Sequence, residues 1–229
     1  ALTYILPVSH PLVFAGPNSA LNLCDNIQQL GMKKVLIVTD EVLLKLGVIQ
    51  PLQSKLEQAN IQVTIFSEVK PDPTFEVVEK AIQLFTSSQS DSVLAVGGGS
   101  TIDTSKVLAL AAANNKSPKQ LIGILKARKP SFPLFVIPTT AGTGSEVTVA
   151  AVLSDNETHV KSLVIDHKVV PLATALDPVI MQGMPPTITA DTGIDALTHA
   201  LESWVSEFAN QETDFYSGAA TKLILDNLV

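Results

Sequence analysis

The sequence predicts an α/β fold, a mostly parallel sheet covered by helices on both faces, followed by an all-helical segment. Three observations carry this. The short apolar runs Lys34–Val38, Ser92–Val96 and Leu134–Pro138 have the length and composition of strands buried on both faces. Helical periodicity alternates with these runs, which is the pattern of a parallel sheet with crossover helices. From Pro185-Pro186 onward nothing resembles a strand. A boundary near Met184 therefore divides the chain into 1–184 and 185–229.

In order, Leu12–Gly16 predicts a short strand and turn, and a helix runs from about Ser19 to Gly31. Strand Lys34–Val38 ends in Thr39-Asp40, followed by a helical stretch containing Gly47. Helix Ile49–Ala59 and strand Ile61–Phe66 come next. Pro71-Asp72-Pro73-Thr74 makes a turn that starts helix Phe75–Ser87. Strand Ser92–Val96 leads through Gly97-Gly98-Gly99-Ser100 into helix Thr101–Ala113, and Leu134–Pro138 repeats strand then polar loop. Val149–Ser154 and His159–Ile165 predict a β-hairpin. Thr187–Thr192, Gly193–Ala209 and Glu212–Val229 are expected to be helices.

The 229 residues, 46% of them hydrophobic, suffice for one large domain or two smaller ones. Fifteen basic against 22 acidic residues give a net charge of −7 with no Lys/Arg cluster, which argues against nucleic-acid or membrane partners. The single cysteine, Cys24, forms no internal disulfide and fits a reducing compartment as a small buried hydrophobe. With no apolar run of transmembrane length and no signal pattern at the N-terminus, a soluble, cytoplasmic protein is expected. The apolar pattern of Thr221–Val229 stops without Gly, Pro or a polar tail, so the chain is expected to end inside an element.

Parallel sheets bind ligands at the carboxyl ends of their strands. There, Gly97-Gly98-Gly99-Ser100 lets backbone N–H groups approach an anion at a helix N-terminus, a fit for pyrophosphate; the plain alternative is a tight turn. G-x-G-x-x-G is absent, so an ordinary Rossmann domain is not expected. Asp40, at the end of a central strand, can accept hydrogen bonds from an adenosine ribose and would repel a 2′-phosphate, favouring NAD over NADP; equally, it can cap a helix. Asp195 and His199, four apart, stack a carboxylate and an imidazole on one helical face, as two metal ligands require. Their plain alternative is a helix capped by Thr192 with Asp195 in the capping box and His199 solvated. Ile194, Leu197, Leu201, Trp204, Val205 and Phe208 form an apolar stripe on that helix.

The run TADTGIDALTHALESWVS, together with GGGSTIDTSK and PTTAGTGSE in that order, closely resembles the iron-containing (group III) alcohol dehydrogenases over nearly the whole chain. The resemblance implies a Rossmann-like sheet domain followed by an all-helical one, in dehydroquinate synthase-like architecture. It implies Asp195 and His199 as ligands of Fe(II) or Zn(II), completed by two histidines downstream; after His199 this sequence has no histidine. Gly98, Gly99 and Ser100 would hold the pyrophosphate, and Thr139, Thr140 and Thr143 would surround the phosphates and nicotinamide. Lys161 would reach the nicotinamide ribose and Ile180 the cofactor wall. Asp72 stands where the family usually has Asn near the adenine, and Asp191 where it usually has a small or neutral residue. Asp103 and Lys106 belong to the signature, with helix capping or surface pairing as alternatives to cofactor contact. His10, His159 and His167 match no motif and are expected at the surface. The implied reaction is NAD-linked hydride transfer between a small primary alcohol or diol and its aldehyde, in a homo-oligomer, a dimer. Alternatives are the glycerol dehydrogenase branch, a dehydroquinate synthase-like lyase, and a catalytically silent nucleotide-binding fragment.

Overall fold

A computed structural model describes residues 10–156, 158 and 160–228. The N-terminal stretch before His10, the expected hairpin start at His159, and Val229 lie outside the described residues.

Six strands form one parallel sheet: β1 (Leu12–Ala15), β2 (Lys34–Asp40), β3 (Gln62–Val69), β4 (Ser92–Gly97), β6 (Leu134–Pro138) and β9 (Ala173–Leu176). Their order across the sheet is β1-β9-β6-β4-β2-β3. A second, three-stranded sheet joins β5 (Gly123–Ile124), β8 (Lys161–Ile165) and β7 (Ala150–Ser154), the last two as the expected antiparallel hairpin.

Side chains of a strand alternate between faces, so each apolar run feeds two cores. Leu36, Val38, Val93, Ala95, Leu134 and Val136 meet α4 (Phe75–Ser87) and α5 (Gly99–Asn114) on one side. Val35, Ile37, Leu94, Val96, Phe135 and Ile137 meet α1 (Ser19–Gln29) and α3 (Ile49–Gln58) on the other. A short helix, α2 (Glu41–Lys45), follows β2. Cys24 sits in the second core, where burial pushes its thiol up to about 12 and keeps it protonated.

Beyond α6 (Pro178–Met181), α7 (Pro186–Val205) and α8 (Gln211–Asn227) pack on each other as a helical hairpin. The expected break at Gly193 is absent: α7 runs straight through it. A Cβ at Gly193 would collide with the Leu228 side chain, so the glycine serves a close approach rather than a helix end. Thr192 is therefore no cap. It lies inside α7, and its hydroxyl donates to the Ile188 carbonyl at 2.8 Å. Asp191, too, lies inside α7, past its first turn. The apolar stripe is largely uncovered among the described residues, with Val205 84% and Phe208 64% exposed.

Strand β9 was not anticipated. Its sequence Ala-Thr-Ala-Leu is short and weak in β-forming residues, and it pairs with β1 on one side and β6 on the other.

Candidate dinucleotide site and metal-ligand pair

Because the six strands are parallel, their carboxyl ends share one rim. In spatial order that rim carries Asp72 just past β3, Asp40 at the end of β2, Gly97–Ser100 after β4, Thr139–Thr143 after β6 and Ile180 after β9. Four inter-strand steps make this row about 19 Å long, a fit for an extended ligand. The strand order reverses between β2 and β4, since β3 lies to one side and β6 to the other. That is the crevice where open sheets take ligands.

The centre of the row is the N-terminus of α5, sixteen residues long and without a side-chain cap. Gly98 is its N-cap in extended conformation (φ −78°, ψ −171°), so its backbone needs no glycine on conformational grounds. The need is spatial. A Cβ on Gly98 would stand 3.2 Å from the Thr140 hydroxyl, and one on Gly99 2.9 Å from the Thr143 methyl. At the start of that second loop, the Thr139 N–H donates to the Gly97 carbonyl at 3.1 Å. The two predicted loops thus form one packed cradle, with first-turn N–H groups of α5 directed into it.

Asp40 serves in one of its two expected capacities, as the cap of α2. Its Oδ1 accepts from the Leu43 N–H at 2.9 Å, capping α2, while Oδ2 has no partner among the described residues. At the end of the row, Asp72 (φ 58°) accepts from the Ser154 hydroxyl at 2.6 Å, and the Lys161 ammonium lies 3.9 Å away. Lys161 was expected at the nicotinamide ribose; the structure sets it beside Asp72. The cause is the hairpin, whose residue Ser154 bridges Thr74 and carries Lys161 on its paired strand to that turn. At the opposite end, Ile180 is partly buried against the α1–α3 core. Asp177, 2% exposed, accepts from the Val179 N–H at 3.0 Å and from the Ala20 N–H at 3.2 Å, tying α6 to α1.

A cavity of about 650 Å³ separates the sheet from the helical hairpin. Pro138, Thr140, Met181, Ala196, Leu223 and Ile224 are among its lining residues, which are largely apolar. One residue before Ala196, Asp195 places its Oδ1 3.6 Å from Nε2 of His199, and both side chains are about half exposed. The pair therefore stands as the spacing predicted. Among the described residues, no group of three or more His, Cys, Asp or Glu converges to hold a metal, and Glu202 points to solvent. His10 is exposed as expected; His167 is only partly so, its Nδ1 3.6 Å from the buried Asp166.

Asp103 and Lys106 are neither surface residues nor part of the rim. Lys106 is fully buried, and its ammonium donates to the Thr148 carbonyl, the Thr148 hydroxyl and the Ala150 carbonyl at 2.8–2.9 Å. Burial lowers its pKa to about 8, against the pull of Asp103 and Glu146. One turn earlier the Asp103 carboxylate accepts from the Val152 N–H at 2.9 Å; burial raises its pKa, opposed by Lys106 and that bond. A buried lysine is seldom legible from sequence, and its only signal here was the signature spacing.

The family model of iron-containing alcohol dehydrogenases matches residues 11–178. The NAD-dependent methanol dehydrogenase of Bacillus methanolicus is 37% identical over 95% of this chain and 57% of its own length. The 1,3-propanediol dehydrogenase of Klebsiella pneumoniae is 39% identical over 94% of this chain and 56% of its own. Among solved structures, the alcohol dehydrogenase of Oenococcus oeni superposes with a TM-score of 0.93 at 35% identity, covering 97% of this chain and 59% of that one. The sulfoacetaldehyde reductase of Bifidobacterium kashiwanohense, solved in complex with NAD+, gives 0.90 at 28% identity, covering 97% of this chain and 59% of that one. The chain thus spans little more than half the length of these relatives.

Proposed function

The chain belongs to the iron-containing alcohol dehydrogenase family, and from that premise we propose that the whole protein transfers hydride between NAD(H) and a small primary alcohol or diol and its aldehyde. Residues 1–184 form the NAD-binding domain in this reading, and residues 185–229 contribute to a helical, metal-binding one. One observation carries it: five neighbouring strand ends present dinucleotide-binding chemistry in linear order along one rim.

The residues fit the dinucleotide. Asp40 Oδ2 is open to a ribose hydroxyl and repels a 2′-phosphate. The first-turn N–H groups at Gly99 and Ser100 face a pyrophosphate, and the positive end of α5 favours its charge. Thr139, Thr140 and Thr143 fence the phosphates, Asp72 and Lys161 close the row beyond β3, and Ile180 stiffens the wall after β9. Bound there, NAD would supply hydride exchange at its nicotinamide. The apolar cavity beside Thr140 and Met181 lies at that end of the row. Asp195 and His199 fit a divalent metal as half of a tetrahedral set. The described residues do not complete that set.

NADH titration by fluorescence, with alcohol-dependent NAD reduction in the whole protein loaded with Fe(II) or Zn(II), tests the reading. Saturable NADH binding with turnover supports it, and failure to bind NADH would falsify it. Because the described residues bring no third ligand to Asp195 and His199, the 229-residue chain alone should bind the dinucleotide and be catalytically silent.

A further inference from the structure

Helix α5 holds the segment after β6 at three places. At its head, Gly98 and Gly99 lie so close to Thr140 and Thr143 that an added Cβ would press on those side chains. One turn further on, Asp103 holds the Val152 N–H. At the next turn, Lys106 gathers three oxygens from Thr148 and Ala150 within 2.9 Å. With Thr139 bonded to Gly97, the segment from 139 to 150 is fastened at both ends to one strand–helix unit. Between the fastenings lie Ala141-Gly142-Thr143-Gly144, outside any helix or strand.

Seven residues of helix separate Lys106 from Gly99, or about 10 Å, so Lys106 does not reach a ligand in the cradle. Nor is a charge the cheapest filler for a core, where an apolar side chain of similar volume is often as stabilising or more so. An ammonium fixes direction instead: three donors met by three oxygens set where residues 148–150 stand relative to α5.

We infer that Lys106, seconded by Asp103, is a positioning residue whose latch on Thr148 and Ala150 holds the 139–150 segment in the shape that receives the dinucleotide. The affinity part rests on the NAD reading above; the latch itself does not.

The test uses the whole protein and three measurements on Lys106→Met: amide hydrogen exchange without ligand, the thermal midpoint, and NADH affinity. Exchange of amides in 139–150 should quicken by about tenfold while the sheet core keeps its protection. The midpoint should fall, since Asp103 and three oxygens stay buried without the ammonium, and the protein that remains folded should bind NADH at least about fivefold more weakly because the cradle is less preorganised. A purely structural lysine would lower the midpoint and leave the affinity of the folded fraction alone. Thr148→Val, which removes one acceptor and keeps the shape, should move exchange and affinity the same way by less, and decides the matter if Lys106→Met does not fold. Unchanged exchange across 139–150 overturns the latch, and quickened exchange with unchanged affinity overturns its role in binding. If the parent binds no NADH, the NAD reading fails while the exchange result still judges the latch.

Discussion

Asp40 shows how one side chain divides its work. One oxygen caps α2 and the other has no partner among the described residues, so in the proposed reading helix start and cofactor choice depend on the same carboxylate. Asp40→Gly should therefore lower the preference for NADH over NADPH by about tenfold, as a repulsion worth roughly one to two kcal/mol is lost. Parallel titrations of the two cofactors check this, and undiminished discrimination would remove Asp40 as the reader. Lys106 offers a second residue-scale test. Its folded pKa of about 8 lies below the unfolded value near 10.5, so between these the unfolded chain binds more protons and stability rises with pH. The cost of its buried charge is complete below pH 8 and is relieved as pH climbs towards 10.5, with Asp103 and Glu146 the acidic groups that face it. Urea midpoints at pH 7.5 and 9.5 should shift in the parent's favour relative to Lys106→Met.

Individual elements were legible where local chemistry and tertiary role agreed. Helix Phe75–Ser87 and strand Leu134–Pro138 have their expected bounds, because Pro71-Asp72-Pro73-Thr74 announces the one and β-branched apolar residues the other. The α5 start was placed two residues late, since three glycines suggest a loop although Gly99 already turns helically. Strand β9 and the continuity of α7 were hidden for one reason: both depend on contacts remote in sequence, β9 on β1 and β6, Gly193 on Leu228. The site shows the same division. Rim residues belong to local motifs and could be read, whereas the oxygens gripped by Lys106 lie more than forty positions away. Gly142 is such a remote contact in the cradle loop: a Cβ there would stand 2.6 Å from the Thr192 carbonyl, backbone of α7. Gly142→Ala should push loop and helix apart at a cost of about 1–3 kcal/mol, with quickened exchange in α7 while β2 and β4 stay protected.

At the scale of the molecule, the sheet domain is closed by two cores, while the helical hairpin is not. Leu223 and Phe215 on α8 and Trp204 on α7 remain 63%, 71% and 47% exposed. The 229-residue chain in isolation should therefore self-associate at micromolar concentration, seen as early elution on size exclusion. It should also retain no stoichiometric iron or zinc by elemental analysis, because two ligands on one helix hold a metal weakly. In the whole protein, His199→Ala should then remove most of the bound metal. The common direction of the six strands has one more outcome. The proposed dinucleotide residues gather on one rim, and the opposite rim, where strands begin at Lys34, Ser92 and Leu134, carries none of them among the described residues. The turn at Gly31, exposed and left-handed, is thus open ground for engineering: a fluorescent reporter or an affinity handle spliced there would ride on the protein without entering the conversation between cradle and cofactor.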